Sequence, residues 1–341
     1  MKFVRSKKLT FFNNKGGVGK TTLAYNTAVE FAKKGYKTVL IDLDPQCNLT
    51  RLALGDEYYE NTLFSYDSKT IYDVLAGVLT GGSDVAYDAK FETAKGAPEN
   101  LFLLRGDIRL SEYEFLLSTG YNQATAGVEI GFFQTSAIDR FLNSKGLNEQ
   151  VDIFIIDTSP TLGLLNRVVL LGSDFFAVPL NPDAFSLQGI ENLGTILEKW
   201  RTNWEQTAKV MAREHNISSK LVLEGDPLFI GYILNSYNVY AEQPIKDHRK
   251  WIEQIPGKVK EFLSERHSKN GLVAASSANS LHDIQDYGRL PSLAHENGQA
   301  IFDIDPAKAE AMQPGTKENI EKSKVEFDEL SDRILDILSK Y

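Results

Sequence analysis

Two lysines, Lys15 and Lys20, bracket a glycine-rich run, Lys15-Gly16-Gly17-Val18-Gly19-Lys20-Thr21-Thr22. An apolar stretch precedes the run and a helix-forming stretch follows it. In that setting glycines let backbone N–H groups converge on phosphate oxygens, and the positive end of the helix adds to the attraction. Lys20 can then reach the β- and γ-phosphates of a nucleotide, and the Thr21 hydroxyl can ligate Mg²⁺. A plain strand-to-helix turn would explain the glycines but not the Gly-Lys-Thr sequence that ends them. Lys15 has no evident task in a single loop of this kind, and a solvated lysine is the bland alternative.

Acids should accompany such a loop. Asp42 and Asp44 close the segment VLIDLDPQCN, two residues apart, and the period of an extended chain sends both side chains to one side. The other reading is a strand that simply ends in solvent. Asp157 caps the apolar run Ile153 to Ile156 in VDIFIIDTSPTLG. A strand ending in aspartate is common, so its weight comes from following the other two motifs. Asn235 ends LFIGYILNSYN, a place where asparagine is otherwise a turn former.

Strands and helices that alternate must position these residues. KLTFFNN reads as a first strand, and a helix is expected from about Lys20 to Lys34. Its apolar face is Ala24, Ala28, Phe31 and Ala32, and Gly35 is its stop signal. KTVLIDLD, NLFLLRGD, VDIFIIDTSP, SDFFAVPLN and LFIGYILNSYN are apolar runs with polar carboxyl ends, as expected of buried parallel strands. Ligands gather at that edge of an open parallel sheet. SLQGIENLGTILEKW places Leu187, Ile190, Leu193 and Leu197 at helical spacing. Right-handed βαβ units of this kind predict a three-layer α/β fold. Surface insertions are expected near 55–69, 121–134 and 240–270, on one domain spanning 1–341.

Composition narrows the function. The 341 residues carry a net charge of −9, which argues against a strongly basic nucleic-acid binder while leaving room for a local patch. Cys47 is the only cysteine, so a disulfide framework or a thiolate cluster is excluded, and a cytoplasmic setting is expected. No apolar run is long enough to span a membrane.

The strict G-x-x-x-x-G-K-Ser/Thr pattern is not met, because Asn14 stands at its first glycine. The string from Lys15 to Thr22 resembles the deviant phosphate loop of the ParA/MinD family of partitioning and positioning ATPases, of the ParA/Soj type. The resemblance extends through the later motifs over most of the chain. It implies a P-loop NTPase fold with a twisted, mostly parallel sheet, an ATP and Mg²⁺ requirement, and hydrolysis to ADP and phosphate. It also gives Lys15 a task, as the family's signature lysine reaching a nucleotide held by a second subunit. Asp44 would orient the attacking water, Asp42 would lie near the metal shell and Asp157 would be an outer-shell Mg²⁺ carboxylate. The turn holding Pro160 would sense the γ-phosphate. Asn235 and, in GRLPSLAHENGQAIFD, Pro291 would meet the adenine. The nucleotide-binding set is therefore Lys15, Gly16, Gly17, Val18, Gly19, Lys20, Thr21, Thr22, Asn235 and Pro291.

The partners implied are a second copy in an ATP-dependent homodimer, a ParB-like activating protein and nonspecific DNA. Candidate DNA contacts are Lys246, Arg249, Lys250, Lys258, Lys260 and Arg266, interleaved with acids as a solvated face would be. No fused operator-reading domain is expected ahead of the first strand at Leu9. Two alternatives stand beside partition: a MinD-like membrane-surface ATPase, and an ATP-driven regulator of another complex. The terminal segment with Ile320, Phe327, Leu330, Ile334 and Leu338 is amphipathic. Its polar face carries Glu321, Glu326, Asp328, Glu329, Asp332 and Asp336, so core packing is expected over lipid binding.

Overall fold

The structure is a computed structural model that describes residues 2–62, 69–237, 239–240, 243–244, 246–267, 280–312 and 315–341. Its strands are β1 (Lys7–Phe11), β2 (Thr38–Leu43), β3 (Glu92–Thr93), β4 (Leu101–Leu104), β5 (Ile153–Thr158), β6 (Phe175–Leu180), β7 (Leu228–Tyr237), β8 (Val239–Tyr240), β9 (Gln243–Pro244) and β10 (Ser280–Gln285). The helices before β5 are α1 (Lys20–Lys33), α2 (Asn48–Leu54), α3 (Asp56–Thr62), α4 (Ile71–Leu79), α5 (Leu110–Thr125), α6 (Glu129–Thr135) and α7 (Ala137–Glu149). After it come α8 (Leu164–Gly172), α9 (Ala184–Gln206), α10 (Ala208–Glu214), α11 (Lys246–Ile252), α12 (Ile255–Val259), α13 (Glu265–His267), α14 (Leu290–Asn297), α15 (Pro306–Met312) and α16 (Thr316–Ser339).

The sheet order is β10-β7-β6-β1-β5-β2-β4-β3, and every pairing is parallel except that of β3 with β4. β1, β2, β5 and β6 are buried along their whole length, as their continuous apolar sequences require. Helices cover both faces, giving the three-layer arrangement expected. One face is sealed by α1, α14 and α16 and the other by α4, α5, α7 and α8, with α9 and α12 closing the flank. β1 lies between β5 and β6, so the loops after these strands converge at one edge.

The terminal helix α16 belongs to the core. Ile320, Phe327, Leu330, Ile334 and Leu338 are buried against the α1 face, and Lys34 on the far side pairs with Asp328 and Asp332 at 2.6 Å. No helix among the described residues is long and apolar enough to cross a membrane.

The insertions behave unequally. α3 buries no residue, and residues 63–68 lie outside the described set. Segment 121–134, expected as an excursion, is instead the end of α5 and most of α6. Tyr121, Ala124 and Phe132 are buried, and the rings of Tyr121 and Phe132 pack on Trp204 at 5.5 and 6.4 Å. Its polar residues disguised a helix pair whose apolar positions face one indole. Segment 240–270 is likewise only partly superficial. Ile255, Val259 and Leu263 are buried, and a π-helical turn at Lys260–Ser264 brings the Phe262 carbonyl so near Gly194 that a β-carbon there would lie 2.1 Å away. Residues 241, 242, 245 and 268–270 of this segment are outside the described set.

Candidate functional site

The glycine loop joins β1 to α1 at the convergent edge. Gly19 is the N-cap of α1, with φ +79°, and no side chain caps the helix. A β-carbon on Gly19 would lie 2.2 Å from Asn235 Nδ2, so both conformation and space require glycine. The first-turn N–H groups of α1 are thus free to serve an anion, and no acid occupies that turn to compete.

Lys20, only 7% exposed, lies inside the loop. Burial lowers its pKa, and the nearby charges of Asp157 and Asp44 oppose that shift. Asp157 is fully buried; one carboxylate oxygen accepts from Thr21 Oγ1 at 2.7 Å, and the other has no partner. Burial and the neighbouring Asp42 push it up to about 7, against the Thr21 bond. An orphaned carboxylate oxygen beside a threonine hydroxyl fits the hard oxygen-donor chemistry of Mg²⁺. That ion takes few protein ligands and completes its shell with phosphate and water. Consistently, no group of three or more His, Cys, Asp or Glu among the described residues forms an all-protein cage.

Asp42 is tied down. Its Oδ2 accepts from the Thr50 N–H at 2.8 Å and the Thr50 hydroxyl at 2.7 Å, while Oδ1 accepts from the Asp44 N–H at 3.1 Å. Burial nevertheless pushes its pKa up to about 6. Thr50 Oγ1 also accepts from the Gly106 N–H at 2.8 Å, linking the loops after β2 and β4. Asp44 is 6% exposed and accepts from the Gln46 N–H at 2.9 Å, leaving its other oxygen for a ligand.

Cys47 closes this turn with φ 54°, a left-handed conformation that a side chain resists. Its thiol, pushed up to about 12 by burial, is inert at neutral pH.

Lys15 points away from Lys20. Its Nζ pairs with Asp183, the N-cap of α9, whose other oxygen accepts from the Ser186 N–H at 2.8 Å. Burial pushes the Asp183 pKa up, but the hydrogen bonds from Lys15 and Ser186 outweigh it and hold the carboxyl below its usual range. Phe185, 74% exposed, lies 6.0 Å from the same ammonium. Asp183, Thr50 and Asn166 were not among the expected site residues. Asp183 had a signal, an aspartate three residues before serine at the start of an apolar-periodic helix.

Pro160 is within ordinary contact of a β-carbon built on Gly16, at 3.9 Å, so the turn 159–163 abuts the glycine loop. Asn166 Nδ2 donates to the carbonyls of Ser159 and Thr161, both at 2.8 Å, and fixes that turn to α8. Asn235 donates to the Val18 carbonyl at 3.1 Å and so supports the loop. Pro291 is half-buried in the first turn of α14, near the carboxyl end of β10. Val18 is buried, and Thr22 is half-buried on α1.

The expected DNA contacts are largely committed elsewhere. Lys258 pairs with Glu191 at 3.3 Å, Arg266 with Glu198 at 2.8 Å and Lys260 with Glu265 at 3.9 Å. Lys250 lies over the Trp251 ring at 4.4 Å, Arg249 is exposed on the same short helix α11, and the Lys246 side chain lies outside the described set.

Comparison with known proteins agrees with this geometry. Residues 6–210 match a family described as an AAA domain. The chain is 29% identical over 247 residues to the uncharacterized protein MJECL24 of Methanocaldococcus jannaschii, covering 72% of this chain and 78% of that one. It is 33% identical over 192 residues to the chromosome-partitioning ATPase Soj of Treponema pallidum, covering 54% of this chain and 60% of the relative. A match to the uncharacterized protein Rv1708 of Mycobacterium tuberculosis spans 53% of that protein. The crystal structure of protein DIP2308 from Corynebacterium diphtheriae superposes with a TM-score of 0.71 at 24% identity, covering 90% of this chain and 99% of that one. The Cyanothece McdA–ATP complex superposes with a TM-score of 0.59 at 16% identity, covering 94% and 95%. At those identities the two structures speak for the fold, and the sequence match carries the rest: this chain belongs to the ParA/MinD family of P-loop ATPases.

Proposed function

We propose that this chain, one ATPase domain, hydrolyses ATP with Mg²⁺ and closes into a homodimer around two nucleotides, as a switch in DNA partition or cargo positioning. The observation that carries the reading is the division between the two lysines. Lys20 is buried beside Asp44 and Asp157, whereas Lys15 stands at the rim, partly exposed and paired with Asp183. One cation serves its own site and the other is available to a neighbour.

The rim itself supports assembly. Ile108 and Phe185 are each 74% exposed and Leu162 36%, on the segments that follow β4, β6 and β5 at the nucleotide edge. Apolar side chains gathered at one edge favour being covered. In the closed dimer Lys15 leaves Asp183 for the partner's triphosphate, because several phosphate charges attract it more than one carboxylate does. Mg²⁺, once bound, would offset the charge that develops on the phosphates. Thr21 and Asp157 hold its shell, Lys20 neutralises the terminal phosphates, and Asp44 accepts a hydrogen bond from the attacking water. Asn235 and Pro291 flank the base.

The partition assignment rests on the relatives, one of which is named a chromosome-partitioning ATPase. By that analogy the dimer holds DNA through its phosphates, and a ParB-like protein accelerates hydrolysis. Because three expected cations are already ion-paired, DNA affinity per subunit is weak and depends on two subunits acting together.

Sedimentation of the Asp44→Ala protein tests this reading. It should be monomeric without nucleotide and dimeric with MgATP, and it should retain DNA at low salt only in the second state. A sedimentation coefficient indifferent to MgATP would sink the dimer, and normal turnover by this variant would remove Asp44 from water positioning.

A further inference from the structure

A second cationic site lies away from the glycine loop. Helices α5, α8 and α9 enclose an open groove of about 730 Å³ with Arg167 and Lys199 on its wall. No carboxylate lines it, although the chain carries 46 acids against 37 lysines and arginines. Arg167 is half-buried, and its neighbours are neutral. Nη2 donates to Tyr121 Oη at 2.5 Å and to Asn203 Oδ1 at 2.8 Å, and the guanidinium lies 3.9 Å from the Tyr121 ring centre. Nε is buried without a partner, and among the described residues no acid pairs with Arg167 or with Lys199. The acids of α9 are committed outward, Glu198 to Arg266 and Glu205 to Lys209 at 2.8 Å in each case.

A guanidinium held between two aromatic rings and two neutral oxygens, without a counter-charge, is costly to bury in an acidic protein. Burial lowers its pKa, the Tyr121 hydroxyl opposes that shift, and no carboxylate does. Tyr121 and Asn203 take both Nη2 hydrogens and Nε is buried, so the guanidinium is held in place with Nη1 left to meet an oxyanion. We propose that this groove binds an oxyanion, the phosphate or carboxylate of a small ligand, between Arg167 and Lys199. The groove has the size of a small-molecule site.

The position also has a consequence. Arg167 follows Asn166, whose amide clamps the carbonyls of Ser159 and Thr161, and Leu164 at the start of α8 lines the groove. An occupant therefore touches the helix that carries the turn beside the glycine loop. This coupling rests on the ATPase reading; binding of the anion does not.

The test is a titration of the full chain, without nucleotide, with inorganic phosphate and separately with succinate at constant ionic strength. Tryptophan emission reports it, since Trp200 stands 5.9 Å from the Arg167 guanidinium. The expected result is a saturable change with one or both anions, absent with chloride and retained in Lys20→Ala, where the glycine loop contributes nothing. Phosphate alone or succinate alone identifies the anion carried by the ligand. Arg167→Met should weaken binding about tenfold or more, the worth of a charge-assisted hydrogen bond. Lys199→Gln, at an exposed position that does not burden folding, should weaken it several-fold and keeps the test sound should the first variant unfold. No saturable response, or one lost in Lys20→Ala and untouched by Lys199→Gln, overturns the proposal.

Discussion

Replacing Asp157 with asparagine should raise the melting temperature of the nucleotide-free protein at pH 8 and abolish the stabilisation expected from Mg²⁺-nucleotide. The fully buried Asp157 carboxyl has its pKa pushed up to about 7, first by burial and then by Asp42. A carboxyl whose folded pKa exceeds its unfolded value stabilises the protein below the unfolded pKa, and that contribution is lost as pH rises through the folded one. The nucleotide-free wild type therefore loses stability between about pH 4 and pH 7, and Asp42, pushed up to about 6, adds to the loss. Asparagine keeps the shape and the acceptor for Thr21 but carries no charge. The gain at pH 8 should be roughly 2–4 kcal/mol and should vanish near pH 4. With the Thr21 bond kept, the amide places an NH2 donor where the orphaned oxygen stood and offers a divalent ion no ligand, so Mg²⁺-dependent affinity should fall about a hundredfold. Thermal melts from pH 4 to 8, with and without MgATP, measure both halves. Parallel curves for the two proteins would show that Asp157 carries no buried charge.

Alanine at Lys20 and alanine at Lys15 should have opposite profiles. Lys20 is buried with Asp157 and Asp44 close by. Removing it deletes the cation proposed to meet the phosphates, so ATP binding should fall beyond detection at micromolar protein. It also leaves the Asp157 carboxyl buried without a nearby cation, which destabilises the protein at pH 7 and does so less at pH 5, where Asp157 holds its proton. Lys15 pairs with Asp183, whose side chain is 37% exposed. Losing that partly exposed pair costs under about 1 kcal/mol. ATP binding should stay within a few-fold of wild type, while the ATP-dependent dimer disappears. Isothermal titration and sedimentation on both variants separate the two lysines. Equal losses of ATP affinity would place them in one site and end the proposal that Lys15 acts on a neighbour.

The sequence disclosed the edge of the sheet better than the contacts across it. β1, β2 and β5 are short, continuous apolar runs, and Lys20, Asp44 and Asp157 follow from where those runs stop. Contacts between distant loops left no periodic trace. The Asp183 that holds Lys15 lies 168 residues away, and Thr50 reaches both Asp42 and the Gly106 amide through a helix start that reads as an ordinary polar position. The burial of 121–134 was hidden because its apolar side chains meet Trp204, on a helix after two intervening strands. The lysines expected to contact DNA were the least legible, since ion pairing such as Lys258 with Glu191 depends on the packing of α12 on α9.

The placement of β1 between β5 and β6 has a kinetic corollary. Acid-bearing loops stand on either side of the glycine loop, so Lys20 and Lys15 are drawn in opposite directions without any strand moving. Exchange of Lys15 between Asp183 and an incoming anion needs only rotations of a partly exposed side chain, on the nanosecond scale. In the proposed dimer, collision and mutual orientation of two copies, on the order of 10⁵–10⁷ M⁻¹s⁻¹, would then set the pace of assembly, and release of the lysine would not.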